Sequence, residues 1–241
     1  MPRTIPETKK RSGESGERRA RLGAADVARR EATVGAGGKE KNYPFPGFFV
    51  FDHHDIDGEI PEVARASVKM AHYSFIALTV SLFYNFFFAS AAAMFEFGAV
   101  TGWMMAAVYL LCGVPGAYYL WYRRIYSACK RDSALTYMWF FLVYLFHLGF
   151  CFYAVIGMTQ TEYSLCGISN MSKAMKENGA VGGVFVFGMC LFIVTMGLSI
   201  NAVRMVYATF RGTGHTLQEA KNEMAREGVR GAANAHAGSR V

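Results

Sequence analysis

The chain has 241 residues, and 25 Lys and Arg against 18 Asp and Glu give it a formal net charge of +7. Only 18% of the residues are charged, below the roughly 25% that is typical of soluble domains. Residues 71–120 contain a single charged side chain, Glu96, and residues 134–161 and 178–203 contain none. Such stretches argue against a soluble enzyme, a disordered protein and a secreted disulfide scaffold. We therefore expect an integral membrane protein.

The first segments of the chain are polar or amphipathic. Residues 1–41 are rich in Arg, Glu, Gly and Ala, and they are too poor in large apolar side chains to fold alone. We predict a disordered cytosolic tail there. Residues 42–70 then form a cytosolic juxtamembrane amphipathic segment, in which the prolines of residues 43–51 favour an extended backbone and residues 60–70 form a lead-in helix.

Four apolar runs are long enough to cross the hydrocarbon core, which requires about 20 residues per helix. The sequence predicts an all-α membrane domain over residues 71–203, because continuous apolar runs indicate helices and not the alternating strands of a barrel. A tight hairpin near Glu96 should connect the first two runs. The predicted spans are about 71–94, 98–120, 134–158 and 180–203.

The flanking cations predict the orientation of the bundle. Residues 121–133 carry four cations and one carboxylate, and the tail 204–241 carries six cations and three carboxylates, whereas residues 159–179 are neutral overall. We therefore expect both termini and the 121–133 loop in the cytosol. The one N-x-S/T sequon, at Asn170, would then lie on the opposite side as a possible glycosylation site.

The cytosolic loop between the second and third spans carries the most informative pattern. On a helix, its apolar side chains fall on one arc and its cations on the opposite side. Such a helix should lie in the membrane interface, with its rings toward the lipid and its cations toward anionic headgroups. An ordinary positive-inside anchor is the alternative interpretation. The predicted lipid-binding residues are Trp121, Tyr122, Arg123, Arg124, Ile125, Tyr126, Lys130 and Arg131.

Few other residues suggest chemistry. Asn85 and His147 are polar groups within spans, for which interhelical hydrogen bonding is the simplest explanation. Cys129 lies beside the membrane and is a possible palmitoylation site. The acidic and histidine-rich run of residues 52–57 resembles a metal cluster only in composition. No phosphate loop or nucleophile motif is present, so we expect no catalytic residue, no metal, no cofactor and no nucleic-acid binding.

Several motifs resemble those of the secretory carrier-associated membrane protein (SCAMP) family, from about residue 42 to residue 224. The run Trp121-Tyr122-Arg123-x-Ile125-Tyr126 resembles the family's short amphipathic loop, normally written C-W-Y-R-P-[IL]-Y. Leu120 and Arg124 stand here where that pattern has Cys and Pro. The other matching features are Asn42-Tyr43-Pro44-Phe45, His53-His54-Asp55-Ile56, Glu59-Ile60-Pro61, Asn85, Asp132-Ser133-Ala134-Leu135 and residues 210–220.

The resemblance implies a non-enzymatic trafficking protein of the trans-Golgi, recycling endosomes, secretory vesicles and plasma membrane. It would act in exocytosis and endocytosis through a loop that engages phosphoinositides. Its partners would be trafficking and fusion machinery, and it would form a homo-oligomer or a hetero-oligomer with other tetraspan vesicle proteins. Many members carry Asn-Pro-Phe repeats that bind EH-domain adaptors; this chain has none, which argues against such binding. The alternative function is a small-solute or ion transporter or channel.

Overall fold

The computed structural model describes residues 43–45, 49–52, 54–157 and 161–238, with side chains described over 54–157 and 161–229. It divides into residues 1–55 and residues 56–241. In the first unit, strands β1 (Tyr43–Phe45) and β2 (Phe49–Asp52) form an antiparallel hairpin. The prolines of this segment favour the extended backbone that the sequence predicts.

The second unit is helical, and four of its helices are long and apolar enough to cross a membrane. We call Glu62–Phe97 span 1, Val100–Arg131 span 2, Ala134–Ile156 span 3 and Gly179–Gly212 span 4. These helices confirm the predicted all-α fold with four spans. Span 1 begins nine residues before the predicted residue 71, because the lead-in helix and the apolar run are continuous.

Among the residues that the structure describes, this unit also has three shorter helices. The lead-in turn Ile56–Glu59 precedes span 1, the loop helix Ile168–Glu177 lies between spans 3 and 4, and the C-terminal helix Leu217–Gly238 follows span 4. Within the spans, Asn85–Ser90 and Tyr118–Tyr122 have π-helical geometry. The widened turns separate α-helical segments Glu62–Tyr84 and Ala91–Phe97 in span 1, and Val100–Ala117 and Arg123–Arg131 in span 2.

The turn between spans 1 and 2 is tight near Glu96, and the turn between spans 2 and 3 is also tight, although the sequence predicts a loop over residues 121–133 there. Spans 1 and 2 are joined at Gly98, whose φ of 69° is left-handed and suits a residue without a Cβ atom. Spans 2 and 3 are joined at Asp132, with a φ of 53°, and at Ser133, whose hydroxyl caps span 3 by accepting from Thr136 N–H. Neighbouring spans are therefore antiparallel hairpins.

Span 1 packs most extensively against span 4, the last to be synthesised. Ser67, Ser74 and Ser81 repeat every seven residues along span 1, so they share one helical face. Ser67 Oγ lies 2.6 Å from Thr209 Oγ1, Ser74 Oγ lies 2.8 Å from Ser199 Oγ, and Ser81 Oγ lies 2.9 Å from Thr195 Oγ1. This hydroxyl seam satisfies polar groups that hydrocarbon would leave unpaired.

Candidate functional site at the cationic end of the bundle

The predicted lipid-binding segment continues span 2 without a break. Pro115 cannot donate a hydrogen bond inside the helix, and the wider π-helical turn Tyr118–Tyr122 follows it. Arg123–Arg131, which we call the cationic helix, is α-helical and ends at the left-handed Asp132. The bundle end that carries this helix is the cationic end, and the opposite one is the loop end.

The π-helical turn and the cationic helix together have two faces, as the sequence predicts, but the apolar face packs against protein. Arg123, Arg124 and Arg131 are exposed. Trp121 is 2% exposed and Tyr122 is 1% exposed, and the remaining buried residues of this face are Ile125, Ala128 and Cys129. The expectation that these rings point toward the membrane is therefore corrected: they belong to the protein interior.

Aromatic packing explains this burial. The Trp121 ring lies 4.9 Å from the Tyr144 ring and 4.8 Å from the His147 ring, both of span 3. The Tyr122 ring stacks on Phe75 of span 1 at 5.3 Å, and its hydroxyl lies 3.1 Å from His72 Nδ1. Tyrosine and tryptophan suit a protein interior as well as a membrane interface, because both environments offer apolar contacts to the ring and a hydrogen-bond partner to its polar group.

Glu59 fixes the lead-in turn to the cationic helix. Lys130 Nζ lies 2.8 Å from Glu59 Oε2, and the Tyr126 hydroxyl donates to the same oxygen at 2.7 Å. The Glu59 side chain is only 5% exposed. Lys130 therefore has a protein partner, and the cations that face the surroundings most openly are the three arginines. Sequence analysis missed this contact, which joins residues about seventy positions apart.

The C-terminal helix docks on the turn between spans 2 and 3 through charged groups. Glu223 accepts from Leu135 N–H at 2.9 Å and from the Ser133 hydroxyl at 3.0 Å, so it caps the first turn of span 3 from another helix. Burial alone would raise the pKa of Glu223, but these hydrogen bonds outweigh it and hold that pKa below its ordinary value.

His215 joins the same docking surface. Its Nε2 lies 2.9 Å from Asp132 Oδ1 and its Nδ1 lies 3.1 Å from Glu219 Oε2, while its ring stacks on Phe210. Burial by itself would lower the pKa of His215, but hydrogen bonds to the two carboxylates outweigh burial and raise it. The surface at the cationic end is therefore a fixed arrangement of charges.

Two predicted modification sites are buried. Cys129 is 2% exposed and its sulfur accepts a hydrogen bond from the Tyr137 hydroxyl at 3.2 Å, which leaves no access for an acyl chain. Asn170 is 5% exposed, and its Nδ2 donates to Leu165 O at 2.9 Å, which leaves no room for a glycan on the folded chain. In the folded chain both side chains therefore serve packing and hydrogen bonding, and modification of either stays a prediction that requires local opening.

The two polar residues within the spans are engaged by the protein. Asn85 Nδ2 donates to Ser164 O at 2.8 Å, and Cys166 Sγ donates to Asn85 Oδ1 at 3.1 Å. His147 Nε2 lies 3.0 Å from Ser199 Oγ. These contacts support the hydrogen-bonding interpretation, although the partners of Asn85 belong to the loop before the loop helix and not to another span.

The acidic and histidine-rich run of residues 52–57 is described only in part, because His53 lies outside the described residues. Within residues 54–157 and 161–229, no group of three His, Cys, Asp or Glu side chains is placed to hold a metal ion. Asp57 pairs instead with Lys69 of span 1, with 2.8 Å between Oδ1 and Nζ.

Four spanning helices, with a cationic helix at the second turn, define a tetraspan integral membrane protein. The chain belongs to the SCAMP family, whose family model matches residues 40–213. The family consists of non-enzymatic membrane proteins, and on this membership the chain is not an enzyme.

Named relatives agree with this assignment. Secretory carrier-associated membrane protein 2 of Oryza sativa subsp. japonica is 38% identical over 196 residues, which cover 80% of this chain and 66% of that protein. Protein 3 of the same organism is 37% identical over 204 residues, 84% of this chain and 70% of that protein. The protein from Pisum sativum is 38% identical over 199 residues, 82% of this chain and 66% of that protein.

The match covers between 62% and 70% of the length of four curated relatives from Oryza sativa. No solved structure matches it significantly.

Proposed function

We propose that this chain acts in membrane trafficking on post-Golgi secretory and recycling carriers, in exocytosis and endocytosis, with its cationic end in the cytosol. In this proposal, the exposed arginines of the cationic helix gather phosphoinositides and thereby recruit trafficking and fusion machinery. The carriers move between the trans-Golgi, recycling endosomes, secretory vesicles and plasma membrane. Relatives that are named for secretory carriers support the cellular part of the proposal.

The observation that carries the proposal is the exposure of Arg123, Arg124 and Arg131 on a helix whose opposite face is buried. Because that face is packed against spans 1 and 3, the arginines keep fixed positions at the membrane surface. Guanidinium groups form bidentate hydrogen bonds with phosphate, which suits phosphoinositide headgroups.

The charge is sufficient for this role. Each cation near an anionic leaflet contributes about 1 kcal/mol, so the three arginines contribute about 3 kcal/mol before salt screening. Asp132 lies next to the last of them, but its carboxylate is bonded to His215. An attraction of this size enriches lipids locally and is reversible when the charge of the headgroups changes.

A reconstitution experiment tests lipid binding directly. The full chain, labelled with a fluorescent acceptor, is placed in phosphatidylcholine vesicles that contain a minor fraction of a donor-headgroup phosphatidylinositol bisphosphate. We expect energy transfer from this lipid to the chain to be well above the transfer from phosphatidylcholine that carries the same donor on its headgroup. The triple change of Arg123, Arg124 and Arg131 to Gln should remove the excess.

The matched control changes Arg211, Lys221 and Arg226 to Gln. These residues are also exposed at the cationic end but lie outside the cationic helix. The control therefore removes the same net charge and should keep most of the excess energy transfer. Equal losses in both triple variants would show that only total charge matters and would contradict the proposal.

The cellular part is tested by depletion and rescue. Cells that lack the protein receive the native chain or either triple variant, and regulated secretion and receptor recycling are measured. We expect rescue by the native chain and the control, but not by the cationic-helix variant at equal abundance and equal localisation. Full rescue by all three chains would contradict the proposal, because it would show that the cationic helix only sets the topology of the protein.

A further inference from the structure

An apolar groove lies between spans 1, 2 and 3 on the side of the bundle that faces hydrocarbon. Its volume is about 370 Å³, within the range of ligand sites. Leu120 and Phe146 stand at its rim and are 52% and 73% exposed, so the groove opens toward the membrane. Its lining includes Leu82, Gly116, Leu120, Trp121, Phe146 and His147.

Gly113 and Gly116 of span 2 line this groove, and they differ in what surrounds their Cα atoms. A Cβ atom on Gly113 would lie 3.0 Å from Leu82 Cδ1, so close packing of spans 1 and 2 accounts for that glycine. A Cβ atom on Gly116 would meet no atom within 4 Å. Gly116 therefore leaves space in the wall of the groove that a larger side chain would fill.

The charged end of the groove indicates its occupant. Arg124 follows Leu120 by four residues, which places it about one helical turn, or about 6 Å, nearer the surface on the same side of span 2. Arg124 is exposed. A chain lying in the groove would therefore have its polar end beside a guanidinium group, which complements a lipid with an anionic headgroup and not a neutral lipid.

We infer that this groove binds one acyl chain of an anionic phospholipid whose headgroup phosphate contacts Arg124. The inference deepens the proposed function, on which it rests, because it makes the cationic helix the entrance of a lipid-binding site with an intramembrane part. Such a site selects a lipid through its headgroup and retains it through its chain. Apolar contact along the chain lengthens the residence of the lipid without adding charge.

Trp121 is a reporter of the groove, because it lines the groove and is only 2% exposed. Bulk lipid therefore reaches its ring only through the groove. Trp103 and Trp139 are changed to Phe so that Trp121 is the one remaining tryptophan of the full chain. The chain is reconstituted in phosphatidylcholine vesicles with a minor fraction of phosphatidylinositol phosphate that is brominated on its acyl chain, since bromine quenches tryptophan on contact.

We expect this anionic lipid to quench Trp121 several-fold more than phosphatidylcholine with the same brominated chain at the same fraction. Gly116→Leu fills the groove and should remove the quenching. Gly197→Leu is the matched control, because Gly197 of span 4 also has no atom within 4 Å of its Cβ position but does not line the groove. Arg124→Gln should make the two brominated lipids equivalent.

Equal quenching by the two brominated lipids in the native background would show that the groove does not select the anionic headgroup, and this result overturns the inference. Quenching that persists in Gly116→Leu overturns it as well. If Gly116→Leu does not fold, Cys112→Phe narrows the groove from the same helix and should give the same loss. Headgroup energy transfer that persists in these variants shows that the proposed function stands independently of the groove.

Discussion

His215 is the residue whose charge depends most directly on its neighbours near neutral pH. Asp132 and Glu219 accept its hydrogen bonds, and the rings of Tyr137 and Phe210 cover it. The pKa of His215 is raised above 6.5, so its stabilising contribution is complete below pH 6.5 and is lost as the pH rises through the folded-state value. The C-terminal helix should therefore dock more tightly below pH 6.5 than above it.

Amide hydrogen exchange over residues 134–136 and 217–224, corrected for the intrinsic effect of pH, measures this docking. Protection should fall as the pH rises above 6.5 in the native chain and should not respond in His215→Gln. Glu223 adds a second limit at low pH, because its lowered pKa makes its capping contribution disappear as the pH falls through its folded-state value. The same profile in both chains would assign the pH response to another group.

Gly188 of span 4 is required by the close approach of Cys166. A Cβ atom at position 188 would lie 2.8 Å from the Cys166 Cβ and closer still to its sulfur. Gly188→Ala should therefore destabilise the protein by about 1–3 kcal/mol through overpacking. Gly197→Ala in the same helix meets no atom within 4 Å and should be neutral or slightly stabilising. Thermal unfolding of the purified chain compares the two, and equal melting temperatures would contradict the packing argument.

At the scale of the element, the π-helical turn Tyr118–Tyr122 and the cationic helix together have two faces with separable roles. Trp121→Ala removes a buried ring and should cost about 3–5 kcal/mol of stability. Tyr119→Ala removes a ring that is 45% exposed and should cost much less. The measurement is unfolding together with phosphoinositide energy transfer per folded molecule. Loss of headgroup energy transfer from well-folded Trp121→Ala would contradict the separation of the two faces.

The loop before the loop helix is also an element with a definite anchor. Tyr163 O accepts from the Ser90 hydroxyl at 2.7 Å, and Asn85 bonds both Ser164 O and Cys166 Sγ. Cys166 is 0% exposed in consequence. Two backbone carbonyls of this loop therefore face span 1.

Removal of the anchor should make Cys166 reactive. Asn85→Leu leaves Ser164 O without its donor, which costs about 1–3 kcal/mol and releases the loop. A membrane-impermeant maleimide, read out by peptide mass spectrometry, should then label Cys166, which is protected in the native chain. Asn201→Leu, at an exposed position of span 4, is the control and should leave Cys166 protected. Rapid labelling of the native chain would show that the loop is already open.

At the scale of the whole molecule, the spans follow from the sequence because hydrocarbon admits only long uncharged helices. The buried faces do not, because leucine and phenylalanine suit lipid and protein interior equally. On span 3, Tyr144 is fully buried whereas Leu145 and Phe146, the next residues, are 66% and 73% exposed. Composition alone does not distinguish these environments.

The candidate site is likewise predictable from the sequence only in part. The angular pattern of residues 121–131 predicts a two-faced helix with its cations exposed. The structure has two faces and exposes the three arginines, whereas Lys130 pairs with Glu59. The pattern does not identify what covers the apolar face, because aromatic rings are favoured in a protein interior and at a headgroup layer alike. Glu59 and Glu223 were missed since each bonds a partner about seventy to ninety residues away, beyond any local periodicity.

The hydroxyl seam between spans 1 and 4 has a consequence for how the protein is made. A ribosome delivers Ser67, Ser74 and Ser81 to the membrane more than a hundred residues before it delivers Thr195, Ser199 and Thr209. During that interval Ser67 and Ser81 lack the partners that span 4 supplies, whereas Ser74 can already bond Tyr144 of span 3, so most of the stripe is paired only when synthesis is nearly complete. A chain that stops before span 4 leaves most of this stripe unpaired permanently, which makes it a signal by which quality control can recognise an unfinished molecule.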